Sequence, residues 1–367
     1  MENIINHQYI DRKTGKVKTE RLFKDSIINF FYSTVRENAD FCFNLIVSGR
    51  STSLLSYLNF DFAFRSNREK AQKFINELNI NIEECILSPE KFMTARQVFE
   101  RQIQYWKYRP MPDDKNINYD EINGYLFINS DLYQSQNQSN TIVDDGIVVS
   151  PSDSKVLVGS LRNSQQFFIK EKFFQYSELL EKEERLKIFQ NGDFAIFRLT
   201  PDEYHYNHTP VSGKVVDFYE IRGQFHSCNP YAVVQEVTPY SKNDRVVTVI
   251  NTDVDGGTRV GMVAIIEVTA MMIGRVEQCY SHNYYESPRK MTPEMYLRKG
   301  QPKSLFRPGS STVILLFEEG KIKFSDDIVK NMSRTDADSR FTIGFGSPLV
   351  ETSVRVREEI GIGSNIF

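Results

Sequence analysis

Residues 306–317 read FRPGSSTVILLF, a turn that contains two serines followed by an unbroken apolar run. A short run of β-branched and large apolar residues behind turn residues predicts a strand that is buried on both faces. Earlier in the chain, residues 199–210 read LTPDEYHYNHTP, which places His205 and His208 beside two carboxylates. A hydroxyl at a tight turn and two imidazoles are groups that can act together as nucleophile and base.

The chain after residue 140 contains many more short β-like runs, separated by Gly, Pro, Asn and Asp. They include GIVVS, KVLVGSL, FAIFRL, GKVVDFYEI, RVVTVI and RVGMVAIIEV. This pattern predicts a mainly antiparallel core, either a sandwich or a barrel-like sheet. Residues 116–141 are rich in Asn, Gln, Ser and Asp, so we predict a domain boundary there, with one region over 1–140 and the other over 141–367.

The N-terminal region is predicted to be mainly helical, which makes the fold class α+β. Phe23, Ile27, Phe30 and Phe31 recur at helical spacing behind a stretch rich in Lys and Arg. Such a stripe either packs on the rest of the protein or lies on an anionic membrane surface.

Composition narrows the function classes. The 367 residues are 40% hydrophobic and 25% charged with a formal net charge of -3, so nothing in the whole chain favours nucleic acid. The four cysteines are too far apart in sequence for a zinc pattern, and we predict no metal site. We expect no secretory signal and no membrane-spanning helix, because the longest apolar stretch, 260–273, is short and contains Glu267.

Several motifs in order resemble the phosphatidylserine decarboxylase family. They are YIDRKTGKV (9–17), VFERQIQYWKYRP (98–110), VVSPSDSKVL (148–157), FRLTPDEYHYNHTPVSGKV (197–215), NDRVVTVI (243–250), GSSTVILLF (309–317) and the VREEIG of the C-terminal tail. The resemblance covers nearly the whole chain. It implies a proenzyme that cuts itself and thereby makes a covalent pyruvoyl group from a serine.

The residues themselves allow that chemistry. A serine hydroxyl can attack the carbonyl before it, and the resulting ester can eliminate and hydrolyse to a pyruvoyl group at a new N-terminus. We predict Ser311 as nucleophile and pyruvoyl precursor, His208 as base and Asp153 as the carboxylate that orients the base. The cut would divide the chain between Ser310 and Ser311.

The resemblance also implies the reaction of the mature enzyme. A Schiff base between the pyruvoyl group and phosphatidylserine would lose carbon dioxide and give phosphatidylethanolamine, with His205 serving the decarboxylation step. A lipid substrate implies a peripheral position on the cytoplasmic face of a membrane, and the family resemblance implies a homodimer.

Two departures from the family pattern leave alternatives open. The family usually has alanine, aspartate and glycine where this chain has Ser152, Asp153 and Ser154. Two serines follow Gly309 where the family has one, so cleavage between Gly309 and Ser310 is the alternative site.

Two other functions are compatible with the sequence. A related pyruvoyl enzyme could act on a soluble amino acid, and an uncleaved relative could only bind lipid. Three arginines could hold the serine phosphate or form structural ion pairs: Arg198, Arg245 and Arg275. The three remaining histidines are predicted to be structural: His7, His226 and His282.

Overall fold

The computed structural model describes residues 6–58, 67–112, 146–162, 172–271, 275–307 and 311–364. It shows an α+β protein with one large, mostly antiparallel sheet. The predicted domain boundary at residues 140 and 141 lies outside the described residues and stays a prediction. The strands, in chain order, are β1 (Gln8–Asp11), β2 (Val17–Thr19), β3 (Ile147–Val149), β4 (Ser154–Ser160), β5 (Asp193–Leu199), β6 (Tyr206–His208), β7 (Gly213–Ile221), β8 (Arg245–Asn251), β9 (Met262–Val268), β10 (Val276–Gln278), β11 (Tyr296–Leu297), β12 (Pro302–Phe306), β13 (Ser311–Phe317), β14 (Ile322–Phe324), β15 (Thr352–Val354) and β16 (Glu359–Gly363).

The described helices occur both before and after residues 113–145 of the chain. Phe31–Val35 is a π-helical continuation of the first of them. In chain order the α-helices are α1 (Asp25–Phe30), α2 (Arg36–Asn38), α3 (Asp40–Ile46), α4 (Gly49–Ser56), α5 (Asn67–Leu78), α6 (Ala95–Phe99), α7 (Tyr105–Tyr108), α8 (Tyr176–Leu180), α9 (Glu183–Phe189), α10 (Pro230–Gln235), α11 (Pro239–Lys242), α12 (Asp326–Met332) and α13 (Arg340–Phe345).

The ten-stranded sheet has the order β11-β7-β8-β9-β13-β5-β4-β15-β1-β2. Strand β13, the STVILLF run, lies inside the sheet, antiparallel to β9 on one side and to β5 on the other. All seven of its residues are buried, as the apolar run predicts. The described part of this sheet has two open edges and does not close on itself, so the barrel-like alternative is not supported.

Two three-stranded sheets complete the core, in the orders β10-β12-β6 and β14-β16-β3. Strand β6 carries His208 and pairs antiparallel with β12, the strand that leads toward Ser311. The backbone N–H of Phe306, at the end of β12, donates to the carbonyl of His205 at 3.1 Å. The small sheet therefore brings the histidine motif and the strand before the predicted cut together.

The apolar stripe near the N-terminus divides between two environments. Phe23 and Phe31 pack against buried clusters, whereas Ile27 and Phe30 are about half exposed, at 48% and 53%. Strands β1 and β2, which precede the stripe, belong to the large sheet. Within the described residues, no helix has the length and apolar character needed to cross a membrane.

A buried ion cluster ties this N-terminal part to the sheet. The guanidinium of Arg198, on β5, donates at 2.9 Å to Glu351 and at 2.9 Å to Glu20. The His7 ring also bonds to Glu351, at 2.8 Å. Burial alone would raise the pKa of both carboxyl groups, but the attraction of Arg198 outweighs it and lowers both pKa values. The candidate phosphate ligand Arg198 is therefore a structural ion-pair partner.

The same cluster contains three ligand-type side chains that lie close enough to hold a metal ion. Donor atoms of His7, Glu20 and Glu351 lie within 4.8 Å of one another. The guanidinium of Arg198 already bonds to both carboxylates, so a cation is present at this position without a metal. These contacts favour an ion-pair cluster over a metal centre.

We expect Arg198→Met to lower the free energy of unfolding by at least about 3 kcal/mol, because it leaves two buried carboxylates without their cation. Urea unfolding, followed in a Ser311→Ala chain that should remain uncut, measures the change. Arg222→Met is the matched control, because Arg222 is 80% exposed although it also pairs with two carboxylates. Equal effects of the two substitutions would contradict the central role of Arg198.

Candidate active site

The ends of three neighbouring strands bring two predicted site residues together. Ser311, the first residue of β13, is opposite Leu199 at the end of β5. Asp153 directly precedes β4, which pairs with the other side of β5. Adjacent strands are about 4.8 Å apart. Ser311 and Asp153 therefore lie at the same end of the sheet, with β5 between them.

The Ser311 side chain is in an unusual state for a hydroxyl group. It is fully buried, and its Oγ has no hydrogen-bond partner among the described residues. Burying a hydroxyl without a partner is unfavourable, so the state of Ser311 calls for an explanation, and a role in chemistry is one. Gly309 and Ser310, which form the alternative cleavage site, lie outside the described residues.

Both ring nitrogens of His208 have partners. Nδ1 is 2.8 Å from the carbonyl oxygen of Gly300, which can only accept, so Nδ1 carries the hydrogen. In the neutral ring Nε2 then holds the lone pair, and it accepts a hydrogen bond from the hydroxyl of Tyr204 at 2.9 Å. Tyr204 lies 2.7 Å from Tyr285, which donates to the carbonyl of Ile103 at 2.9 Å. This chain of contacts fixes the tautomer and orientation of the ring.

Burial has the largest influence on the charge of His208. It lowers the pKa of the imidazole to about 3, although the Gly300 carbonyl and the charge of Asp153 both act to raise it. The ring is therefore neutral at pH 7, the form that a general base requires.

Asp153 is held by groups other than the histidine ring. Arg109 donates two hydrogen bonds to its carboxylate, at 3.0 and 2.8 Å, and the backbone N–H of Val356 donates a third at 2.8 Å. Burial raises the pKa of Asp153, but Arg109 outweighs it and the pKa is lowered, so the carboxylate is ionised. Asp153 influences His208 through its charge and through the backbone, because the N–H of His208 donates to the Pro151 carbonyl at 2.7 Å.

His205 lies at the other end of the histidine motif. Its Nδ1 is 2.8 Å from the carbonyl oxygen of Glu203, so in the neutral ring this nitrogen carries the hydrogen. Phe99 lies against the ring, with 3.6 Å between the centroids and an interplanar angle of 37°. The backbone of His205 also contacts Phe306, so this histidine is next to the strand that ends just before the undescribed residues 308–310.

The structure also separates the three candidate arginines. Arg245 is buried and donates to the carbonyls of Leu179 and Asn243, at 3.0 and 2.8 Å, so like Arg198 it is structural. Arg275 is exposed, and its carbonyl accepts a hydrogen bond from the Arg307 N–H at 3.3 Å. Of the three, only Arg275 is in a position to meet a ligand from solvent.

The sequence did not predict which residues contact Asp153 and His208. Arg109 lies in the WKYRP segment that was used for the family resemblance, but nothing in its spacing connects it with Asp153. Tyr204 is only four residues before His208 in the same motif, so the sequence could have suggested this contact. The fold brings Gly300 to His208 and Tyr285 to Tyr204, and the sequence carries no local signal for either contact.

Together these groups form the candidate site, which contains a buried hydroxyl at a strand end and a buried, neutral imidazole in the histidine motif. The sequence profile of the phosphatidylserine decarboxylase family matches residues 132–342. The chain belongs to the phosphatidylserine decarboxylase family. It is therefore a decarboxylase, and the predicted resemblance and the predicted enzyme class, a carboxy-lyase, are both confirmed.

Similar proteins from bacteria match over nearly their whole length. A phosphatidylserine decarboxylase proenzyme of Fusobacterium nucleatum is 25% identical over 93% of this chain and 97% of its own. Those of Chlamydia trachomatis serovar L2 and Clostridium tetani are each 26% identical, over 96% of this chain and 96% and 97% of their own. The word proenzyme in these names describes a precursor that is processed.

The low pKa of His208 makes stability depend on pH. The unfolded imidazole takes up a proton near pH 6.5 and the folded one only near pH 3, so stability is present above pH 6.5 and is lost as the pH falls toward 3. The titration of His208 should lower the free energy of unfolding by about 3 kcal/mol between pH 6.5 and pH 4. Urea unfolding of Ser311→Ala chains with and without His208→Gln measures the difference.

The matched control for that experiment is His282→Gln, because the His282 ring is exposed. Burial lowers the pKa of His282 as well, but the ring is exposed, so we expect this substitution to change the pH dependence much less than His208→Gln does. An unchanged pH dependence in His208→Gln would contradict a neutral, buried His208.

Proposed function

We propose that the chain converts phosphatidylserine to phosphatidylethanolamine and carbon dioxide, using a pyruvoyl group formed from Ser311 by self-cleavage. The observation that carries this proposal is the buried hydroxyl of Ser311, at the first residue of an interior strand, which has no hydrogen-bond partner among the residues that the structure describes. A hydroxyl without a hydrogen-bond partner is available to react, and its position is fixed by the pairing of Ser311 with Leu199 of β5 and by the β9 ladder that begins at the next residue, Thr312. The buried remainder of β13, which is apolar from Val313 to Phe317, keeps the new N-terminus in place after the cut.

Self-cleavage needs a base but no second substrate other than water. The Oγ of Ser311 attacks the carbonyl carbon of residue 310, the peptide C–N bond breaks, and an ester forms. Removal of the Cα proton of Ser311 then expels the carboxylate of residue 310 and leaves a dehydroalanine. Water hydrolyses it to the pyruvoyl group and ammonia. We assign the proton transfers to His208, because its ring is neutral at pH 7.

Asp153 supports this step in two ways. Its negative charge favours the protonated form of His208 that arises when a proton is taken up. Its hydrogen bond with Val356 joins the segment before the cut to the segment after it. We therefore retain Asp153 in the self-cleavage machinery, as an electrostatic partner of His208 whose own position is set by Arg109.

In the mature enzyme, the pyruvoyl group supplies a carbonyl that accepts the electrons released when carbon dioxide leaves. We assign His205 to the return of a proton to the product, because it lies beside the strand that leads to Ser311; its Nε2, which holds a lone pair in the neutral ring, would first take up the proton from water and then pass it on. Arg275 is the arginine that we propose for the phosphate of the substrate, because it is exposed at the start of β10.

A lipid substrate has to be reached from a membrane surface, and the N-terminal helices offer an apolar contact for it. We define the N-terminal apolar surface as the exposed large apolar side chains between residues 27 and 58. These are Ile27, Phe30, Phe41, Leu45, Leu54, Tyr57 and Leu58. An amphipathic surface of this kind would lie in the headgroup region without spanning the bilayer. The cytoplasmic side and the homodimer remain predictions from the family resemblance; sedimentation of the purified chain would test the dimer.

An intact-mass spectrum under denaturing conditions tests the cleavage site. The parent chain should give two pieces, the smaller beginning with a pyruvoyl group in place of Ser311. Ser311→Ala should give one full-length mass, because it removes the nucleophile. Ser310→Ala is the matched control and should still give two pieces.

The reverse result for the two serine variants would move the pyruvoyl precursor to Ser310. One full-length mass for the parent chain, even with anionic vesicles present, would overturn self-processing and favour an uncleaved lipid-binding protein. If the parent chain is cut, decarboxylation of phosphatidylserine in vesicles is compared with that of free serine. Activity on free serine alone would favour a soluble substrate.

The N-terminal apolar surface predicts a specific loss of membrane binding. Phe41→Ser with Leu45→Ser should weaken binding to vesicles of phosphatidylserine and phosphatidylcholine about tenfold or more, since two apolar side chains leave the lipid. Co-sedimentation with vesicles measures the binding. Val329→Ser with Ile343→Ser is the matched control, because these exposed side chains lie on α12 and α13. Equal losses of vesicle binding in the two double variants would contradict the assignment of the N-terminal apolar surface to membrane contact.

A further inference from the structure

A fully buried ion pair lies on the same side of the sheet as Ser311. Glu267 of β9 and Lys303 of β12 are both completely inaccessible to solvent, and 2.7 Å separates Nζ from the carboxylate. Glu267 is opposite Val313 in the β9–β13 ladder. Because alternate residues of a strand share a face, Glu267, Val313 and Ser311 project to one side. A diagonal pair of this kind has Cβ atoms roughly 7 to 8 Å apart.

Glu267 holds the strand that carries the histidines. Asn207 lies between His205 and His208 in sequence, and its Nδ2 donates to Glu267 at 3.3 Å and to Ser304 at 3.0 Å. These contacts fasten β6 onto the large sheet at a point next to β13. His208 lies in β6 and His205 directly precedes it. The carboxylate that is a diagonal neighbour of Ser311 therefore also fixes the segment that carries both histidines.

Glu267 also holds the strand before the cut. Ser304 of β12 donates to the same carboxylate, and Gln278 of β10 donates to it at 2.9 Å. Lys303 and Ser304 are consecutive, and consecutive side chains of a regular strand point to opposite faces. The ladder between β12 and β6 is irregular between Pro302 and Ser304. Such a bulge redirects side chains, which accounts for both residues reaching Glu267.

Stability alone does not account for this arrangement. Apolar side chains of similar volume often serve the fold as well as a buried ion pair does, because the two charges lose their hydration. Here the pair interrupts an otherwise apolar strand, MVAIIEV, and needs an irregularity in β12. Its contacts converge on the two strands that must keep their place relative to Ser311.

We propose that Glu267 and Lys303 are positioning residues for self-cleavage: they fix the histidine strand β6 and the strand β12 over Ser311. The inference rests on the proposed self-processing at Ser311. The pair takes no part in bond making. It sets the distance and direction between the base, the hydroxyl and the peptide bond that is cut, and a displacement of about 1 Å can cost about 100-fold in rate.

The test separates the rate of cleavage from the stability of the fold. The double variant Glu267→Leu with Lys303→Met replaces the pair with apolar side chains of similar size. We expect the variant to remain folded with a lower urea midpoint, because Asn207 and Gln278 lose a hydrogen-bond acceptor, and its rate of self-cleavage to fall at least tenfold. Rates come from intact-mass time courses of freshly made full-length chain, and midpoints are compared in the Ser311→Ala background.

Two further variants keep the test decisive. Ser304→Ala removes one hydrogen bond to Glu267 without exposing a charge, and it should slow cleavage several-fold even if the double variant does not fold. Ile328→Val, in the buried core on α12, is the matched control for packing and should cleave at the parental rate. Parental rates in the double variant, or in Ser304→Ala if the double variant does not fold, would overturn the positioning role. An uncut parent chain would instead contradict self-processing itself.

Discussion

Strand β13 is the constraint on which the rest of the structure depends. Its seven residues are buried and all pair with β5, six of them also pair with β9, and the strand begins at the residue that is predicted to react. A cut before Ser311 removes none of these ladder contacts. The chain can therefore be divided without releasing the C-terminal piece, and the new terminus stays where the neighbouring strands hold it.

Two buried charge clusters lie on opposite faces of the sheet beside the start of this strand. Arg198 is opposite Thr312 in the β5 ladder, while Glu267 is opposite Val313 in the β9 ladder. The Arg198 cluster joins the N-terminal strands and Glu351 to the core. The Glu267 cluster joins the small histidine-bearing sheet to it. Charged contacts thus attach other elements to the apolar sheet at both faces, close to Ser311.

The sequence predicted the parts of this structure that local pattern determines. The STVILLF and FAIFRL runs became β13 and β5, and the family motifs selected His205, His208, Asp153 and Ser311. The partners of those residues could not be predicted, because they come from distant parts of the chain. Asp153 was expected to contact His208 directly, but Arg109 occupies its carboxylate while the Gly300 carbonyl takes the ring nitrogen.

The Tyr204 contact imposes a further condition on the mechanism. In the proposed self-cleavage the lone pair on Nε2 of His208 takes up the proton, and this nitrogen already accepts a hydrogen bond from the hydroxyl of Tyr204. Burial raises the pKa of Tyr204 well above its usual value, so the phenol holds its proton. A proton from Ser311 can reach Nε2 only if Tyr204 turns aside or passes its own proton on while receiving another. Tyr204 therefore belongs to the proposed proton path even though it is neither nucleophile nor base.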